Sequence, residues 1–262
     1  MAFPNEIRYD TTRSLDQGFL MRVGMGLEPG YSSVEKFGEN PDIDTDDAPE
    51  TIWSGGGLLS YSDTANIDSM SSSDVDDEQE ITIQGLDADY NLVTQTKALT
   101  GQTTVELDTP LIRVFRAFNS NGTPTEGNVW IYINGASVTA GVPTVQAEKR
   151  LVIKVDAQQT EMCTYTIPAG YTGYFIGGYV SLSRVLASAT AIFTSRIRNF
   201  EGVFRVASRI SCIGSGRSSW DYRYPVPIEL PAKTDIELRC EAVASNNTGV
   251  SGGFTILLKE NR

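Results

Sequence analysis

No histidine occurs among the 262 residues, so the chain cannot build a Ser-His-Asp triad, a Cys-His dyad, a histidine zinc site or an imidazole base. Cysteine is scarce as well. Cys163, Cys212 and Cys240 are odd in number and show no C-x-x-C spacing, which argues against a disulfide framework or a metal knuckle. They read as reduced, buried, small apolar residues. Long apolar runs are missing: no window reaches the roughly 18 residues of a membrane helix. The opening MAFPNEIRYD has no apolar signal core, so the expectation is a chain made and used without export. Positive charge is in deficit, 21 Lys and Arg against 33 Asp and Glu, net −12, and a pI near 4.5 makes nucleic acid an unsuitable partner.

What remains is a turn-rich composition of ordinary hydrophobicity, with 24 Gly, 11 Pro and 40% hydrophobic residues, long enough for one large unit or two tandem ones. The charge is divided along the chain. Residues 1–110 hold 22 acidic and 5 basic side chains, residues 111–262 hold 11 and 16. Opposite ends of that kind attract one another between copies and set register in a ring or head-to-tail array, unless the acidic surface is simply solvated.

Residues 1–48 carry no sustained period and are punctuated by Gly18, Gly24, Gly26, Pro29, Gly30, Gly38 and Pro41. This segment reads as an extended N-terminal arm. With Phe19, Met21, Met25, Tyr31 and Phe37 it is too apolar for a solvated tail, so those residues are interface candidates, lying on a neighbouring copy or folded back on the same chain.

From Glu50 onward the period is 2. Ile81 and Ile83, then Val129, Ile131 and Ile133, then Leu151, Ile153 and Val155 alternate with their neighbours, as do Phe204, Val206 and Ile210, Ile236 to Ala242, and Phe254, Ile256 and Leu258. Turn signals such as Asn134-Gly135 separate them, and no amphipathic 3.6-period stretch exceeds two turns. The expected class is all-β, a β-sandwich or jelly roll, with a first β unit at 49–140, a second, jelly-roll unit at 141–262 and a linker near 135–149. Leu182 to Ala191 reads as a short helix or a loop.

Chemistry has little support. The acidic runs 42–47 and 74–78 suggest calcium, but the glycine and the closing glutamate of an EF-hand are out of register, so they read as solvated loops protecting strand edges. Carboxylates alone can hydrolyse glycosides, yet no pair stands out on adjacent strands. Gly55-Gly56-Gly57 precedes no helix and reads as a turn. No catalytic residue, cofactor or metal site is assigned. Residues 214–224, GSGRSSWDYRY, combine small residues with Arg217, Trp220, Tyr222 and Arg223, and form either a recognition loop for a partner or glycan or a cap on the sandwich.

The strings PGYSSVEKFG at 29–38, IWSGGGL at 52–58 and IQGLDADYN at 83–91, with IPAGYTGY at 167–174, GVFR at 202–205 and PAKTDI at 231–236, resemble virion structural proteins of tailed bacteriophages, particularly marine ones. The resemblance runs from about residue 25 to the end. It implies a β-sandwich or jelly-roll protein made in the host bacterial cytoplasm and located on the virion. Its partners would be further copies of itself, with a trimer expected, and the major capsid protein or other virion proteins. The implied role is a capsid-associated decoration or head protein; the alternative is a tail-associated receptor- or glycan-binding protein.

Overall fold

The computed structural model describes residues 11–184, 189–216 and 218–261. A helix, α1 (Thr11–Gly24), is followed by β1 (Tyr31–Ile43) and the short β2 (Glu50–Thr51). Nine strands come next: β3 (Ile67–Ser72), β4 (Glu80–Leu86), β5 (Leu92–Ala98), β6 (Val105–Leu111), β7 (Arg113–Asn119), β8 (Val129–Ile133), β9 (Val138–Thr139), β10 (Val142–Pro143) and β11 (Lys149–Ile153). Seven more close the chain: β12 (Thr164–Thr166), β13 (Tyr171–Arg184), β14 (Thr190–Arg198), β15 (Arg205–Ile213), β16 (Ser219–Leu230), β17 (Asp235–Val243) and β18 (Thr248–Glu260).

Eight of these make one sandwich. One sheet runs β1-β18-β13-β16 and the facing sheet β12-β17-β14-β15, every pairing antiparallel. Counted along the chain from first to eighth, the orders are 1-8-3-6 and 2-7-4-5. Strands one to four therefore pair with eight to five, the first and third pairs in one sheet and the second and fourth in the other. That is a single long antiparallel ribbon wound into a jelly roll. Its core is formed by Phe175, Phe193, Leu238, Phe254, Ile256 and their neighbours, all essentially without solvent contact.

β2 adds to the roll by pairing with β17, and the strands from β3 to β11 form a second unit, a sandwich with the β9-β10 hairpin beside it, nested between the first and second strands of the roll. Sheet β11-β8-β3-β6 covers sheet β5-β4-β7, and Trp53, Ile67, Met70, Ile81, Ile83, Ile131, Leu151 and Ile153 fill the space between. The two units are thus neither one merged body nor two in tandem. Residues 31–43 and 163–260 make the roll, and residues 52–162 make the insert.

Three expectations change with this arrangement. The arm does not remain extended over 1–48. Residues 31–43 are an integral strand whose register with β18 runs from Tyr31–Lys259 to Asn40–Val250, and residues 11–24 are helical. The division near 140 also moves, because β11 joins the sheet of β8 with Val152 opposite Trp130. Residues 135–149 are not a linker. Trp130, Tyr132 and Val152 point out of the main core, and Ala136, Val138 and Val142 of the β9-β10 hairpin cover them in a small third cluster. Leu182 lies in β13 and Ala191 in β14, while residues 185–188 fall outside the described residues.

The acidic charge follows the nesting. Residues 52–162 hold 15 acidic and 6 basic side chains, whereas 163–262 hold 7 and 11. One acidic loop is not simply solvated: Asp77 is buried and accepts from Ser72 Oγ at 2.5 Å, Glu126 N at 2.8 Å and Gly127 N at 3.0 Å, tying two loops of the insert together.

The seam between the units is both apolar and ionic: Leu86, Ile112 and Phe115 of the insert pack into the roll's core, and charged groups meet beside them. Asp235 of the roll accepts from Arg113 of the insert (Nε–Oδ1 2.8 Å), from Arg198 (Nη2–Oδ2 2.5 Å) and from Thr166 Oγ1 at 2.6 Å. Tyr61 lies between the guanidinium groups of Arg113 and Arg198, 5.1 and 4.6 Å from its ring centre, and donates its hydroxyl to Glu237 at 2.7 Å. Each buried charge has its partners, as a low-dielectric site requires.

Candidate functional site

The roll's first sheet has an inner face on the core and an outer face. On β1, Val34, Lys36, Gly38 and Asn40 turn inward, so Tyr31, Ser33, Glu35 and Phe37 turn outward by the two-residue period. Helix α1 lies across part of that outer face. Val23 is buried there at 6% exposure, and the ring of Phe19 meets that of Tyr31 edge to face with centres 5.1 Å apart. The helix stops where Gly26 adopts φ 70°, with Gly26 N donating to Val23 O at 2.9 Å and Leu27 N to Arg22 O at 2.8 Å, and Arg22 then pairs with Glu28 at 2.6 Å.

On one flank the helix and sheet enclose a groove of about 620 Å³ lined by Phe19, Tyr31, Tyr174, Arg223, Pro225 and Leu257. On the other, a groove of about 470 Å³ is lined by Leu20, Val23, Glu35, Arg223 and Thr255 among others. Met21 on α1 and Met25 in the turn just after it are 65% and 64% exposed. Past the helix, the outer face carries Phe37 and Tyr179, both 41% exposed, in register across Gly253. A Cβ on Gly253 would stand 2.5 Å from the Tyr179 ring and 2.7 Å from Lys36 O, so glycine is what allows that ring to lie flat over the sheet.

Five interface candidates, Phe19, Met21, Met25, Tyr31 and Phe37, are therefore gathered on one face, and Arg223 joins them from β16. Trp220 and Tyr222 differ. Residues 219–230 form a strand, not a loop, and the period of 2 sends alternate side chains to opposite faces. Tyr222 packs into the core against Phe175 and Tyr224, at ring separations of 6.1 and 5.7 Å, and burial pushes its hydroxyl well above the usual phenol range. Trp220 stands opposite the buried Val180 and keeps 37% exposure at the edge of the sandwich. Arg217 lies outside the described residues.

Leu20 and Val23, apolar residues of the same N-terminal segment, line the helix-sheet grooves as well, and the residues that sequence reasoning missed there are Tyr174, Ile176 and Leu257. Leu257 carried a signal. It is an apolar residue on the alternate side of a strand whose core side is already filled by Phe254, Ile256 and Leu258, and in the fold it is buried at 9%.

Below the sheet, Lys36 Nζ donates to the carbonyl of Phe115 from the insert, and burial draws its pKa down to about 8. Cys163 donates its thiol to Gly252 O at 3.0 Å, and burial pushes Cys240 up to about 12. These thiols stay protonated at neutral pH and are weak nucleophiles.

No protein-family model and no curated protein matches the chain. Among solved structures it is similar to infectious bursal disease virus, Gt strain, at 11% identity over 92% of this chain and 78% of that one, with a TM-score of 0.25. An infectious bursal disease virus VP2 subviral particle is 9% identical over 94% and 82% with a TM-score of 0.19. The isomalto-dextranase of Arthrobacter globiformis T6, complexed with panose, is 12% identical over 84% of this chain and 36% of that one with a TM-score of 0.25. TM-scores of this size carry no argument; the fold rests on the strand register and the site on the contacts described above.

Proposed function

We propose that this chain is a non-enzymatic structural subunit of a bacteriophage virion, a capsid-associated decoration or head protein that associates with its own copies through the helix-bearing outer face of the roll. One observation carries the reading. Met21 on a helix already seated through Phe19 and Val23, and Met25 in the turn that ends it, stand about two-thirds exposed, and Phe37 and Tyr179 are open on the sheet face that the helix crosses. Adaptable methionines with open aromatic rings suit a protein contact, and apolar area contributes about 25 cal/mol per Å² when covered. The jelly roll supplies a rigid platform, and the string resemblance supplies the virion.

The test is the mass of the purified chain by light scattering at tens of micromolar, with and without Met21→Glu and Met25→Glu together, followed by sedimentation with capsids. An oligomer, with a trimer expected, that the double variant reduces to monomer supports the reading. A monomeric parent that does not sediment with capsids overturns it.

A further inference from the structure

Away from the helix-bearing face, three turns meet at a recess of about 400 Å³ where the insert abuts the roll. One comes from the insert and holds Tyr90, one joins β14 to β15 and holds Phe200 and Glu201, and one joins β16 to β17 and holds Lys233. Each turn is tied by main-chain hydrogen bonds: Tyr90 N to Asp87 O at 3.0 Å, Gly202 N to Asn199 O at 2.8 Å, and Lys233 N to Ile167 O at 2.8 Å. Among the described residues, three of the six non-glycine residues with left-handed backbone, Tyr90 (φ 67°), Glu201 (φ 58°) and Lys233 (φ 64°), line this one recess. Strained backbone gathered at one cavity is a pointer to function.

The side chains there form a set. The Lys233 ammonium lies 5.0 Å from the Tyr90 ring centre and 4.8 Å from that of Phe200, and it joins no ion pair among the described residues. The floor carries two guanidinium groups on the single carboxylate of Asp235, and with Asp63 and Glu201 the whole lining balances three cations against three carboxylates, which leaves Lys233 as the cation not engaged by Asp235. Phe200 is 47% exposed, an open ring held edge to face against Tyr90 at 5.7 Å. Asp63 and Glu201 are exposed acceptors on the lining.

We propose that this recess binds a carboxylate-bearing sugar. The cation over the rings takes the carboxylate, the open face of Phe200 takes the C–H face of the pyranose, and Asp63 and Glu201 accept from its hydroxyls. A volume of about 400 Å³ suits one or two sugar rings. Turns fixed beforehand lower the ordering cost of binding. The site is separate from the assembly face, so the two readings fail independently.

The experiment titrates the full chain with D-glucuronate, D-glucose and sulfate, followed by amide NMR shifts. Glucuronate is expected to saturate with a Kd on the order of 1 mM, the strength open to one sugar ring, and to move the amides of Tyr90, Gly202 and Lys233. Lys233→Met is expected to weaken it about tenfold or more, and Phe200→Ala by a similar factor, both variants melting close to the parent. Glucose should not bind at about ten times that concentration. Glucose binding equal to glucuronate, sulfate shifting the same amides as strongly, an unchanged Kd in Lys233→Met, or no saturable shift at all would each overturn the proposal. Glucuronate binding that persists in the Met21, Met25 double variant keeps this test apart from that of assembly.

Discussion

Arg113 of the insert grips Asp235 of the roll through two hydrogen bonds, Nε–Oδ1 at 2.8 Å and Nη2–Oδ2 at 3.2 Å, with the two side chains only 10% and 3% exposed. Removing Asp235 leaves both Arg113 and Arg198 without their carboxylate, whereas removing Arg113 leaves Asp235 still held by Arg198 and Thr166. Asp235→Asn is therefore expected to cost about 3–5 kcal/mol in urea unfolding, and Arg113→Met less. Combining Arg113→Met with Asp235→Asn should cost less than the two single losses added, because each single loss already includes the broken contact between them. Additive losses would show that the pair is not coupled.

Lys36 makes stability depend on pH in a defined sense. Its folded pKa is lowered to about 8 from 10.5, so the unfolded chain holds more protons between those values and stability rises with pH across that window. The penalty for a buried ammonium is complete below pH 8 and gone above 10.5, about 3 kcal/mol in all. The Cys163 and Cys240 thiols and the Tyr165 hydroxyl, raised by burial, act the opposite way in the same range. The informative quantity is therefore the difference between the parent and Lys36→Met. Thermal melts from pH 7 to 10.5 should show the parent gaining on the variant, and parallel curves would contradict the assignment.

Association through the helix-bearing face should survive salt. The Debye length falls from ~10 Å at 0.1 M to ~3 Å at 1 M, which screens the charge division along the chain and leaves contacts of Met21 and Met25 intact. Sedimentation equilibrium at both salt concentrations distinguishes the two contributions. Dissociation at 1 M salt would assign assembly to the acidic insert and basic roll instead.

Gly253→Ala should destabilise the roll by about 1–3 kcal/mol, since the added methyl meets the Lys36 carbonyl as well as the Tyr179 ring. Tyr179→Ala in the same chain should recover only a fraction of the loss, because the carbonyl cannot move aside. Full recovery would mean the ring is the whole obstacle.

Much of the strand content was legible because the insert and the later roll strands alternate cleanly: Ile81 and Ile83, Val129 and Ile131, Ile236 and Leu238 are all buried as the period of 2 predicts. β1 was not, because its inward positions are Val34, Lys36, Gly38 and Asn40, which no apolar pattern detects. Lys36 is accommodated by a carbonyl of the insert, Gly38 by close passage of the Met162 backbone, and Asn40 by Glu50 at 2.6 Å. β15 shows the reverse error. Val206 alternates as a core residue should, yet on β15, the last strand of its sheet, it is 43% exposed. The helix was hidden by Gly18 and Gly24, and nesting is a non-local property that no window of neighbouring residues records. Of the site, the apolar side chains of residues 19–37 were visible; the face they share with Arg223 was set by strand order.

The nesting has a practical corollary. Where the chain leaves the roll and where it comes back, the two segments already run side by side: Cys163 N donates to Ile52 O at 2.9 Å, Ser54 N to Glu161 O at 3.1 Å, and Trp53 bridges Met162. A short turn would span that gap, but it would not restore what the insert gives the roll: Leu86, Ile112 and Phe115 pack into the roll's own core, and the Phe115 carbonyl is what the buried Lys36 ammonium donates to. The ribbon is therefore finished from outside itself, and a chain cut back at the crossing would leave an open patch in the roll where the insert now rests.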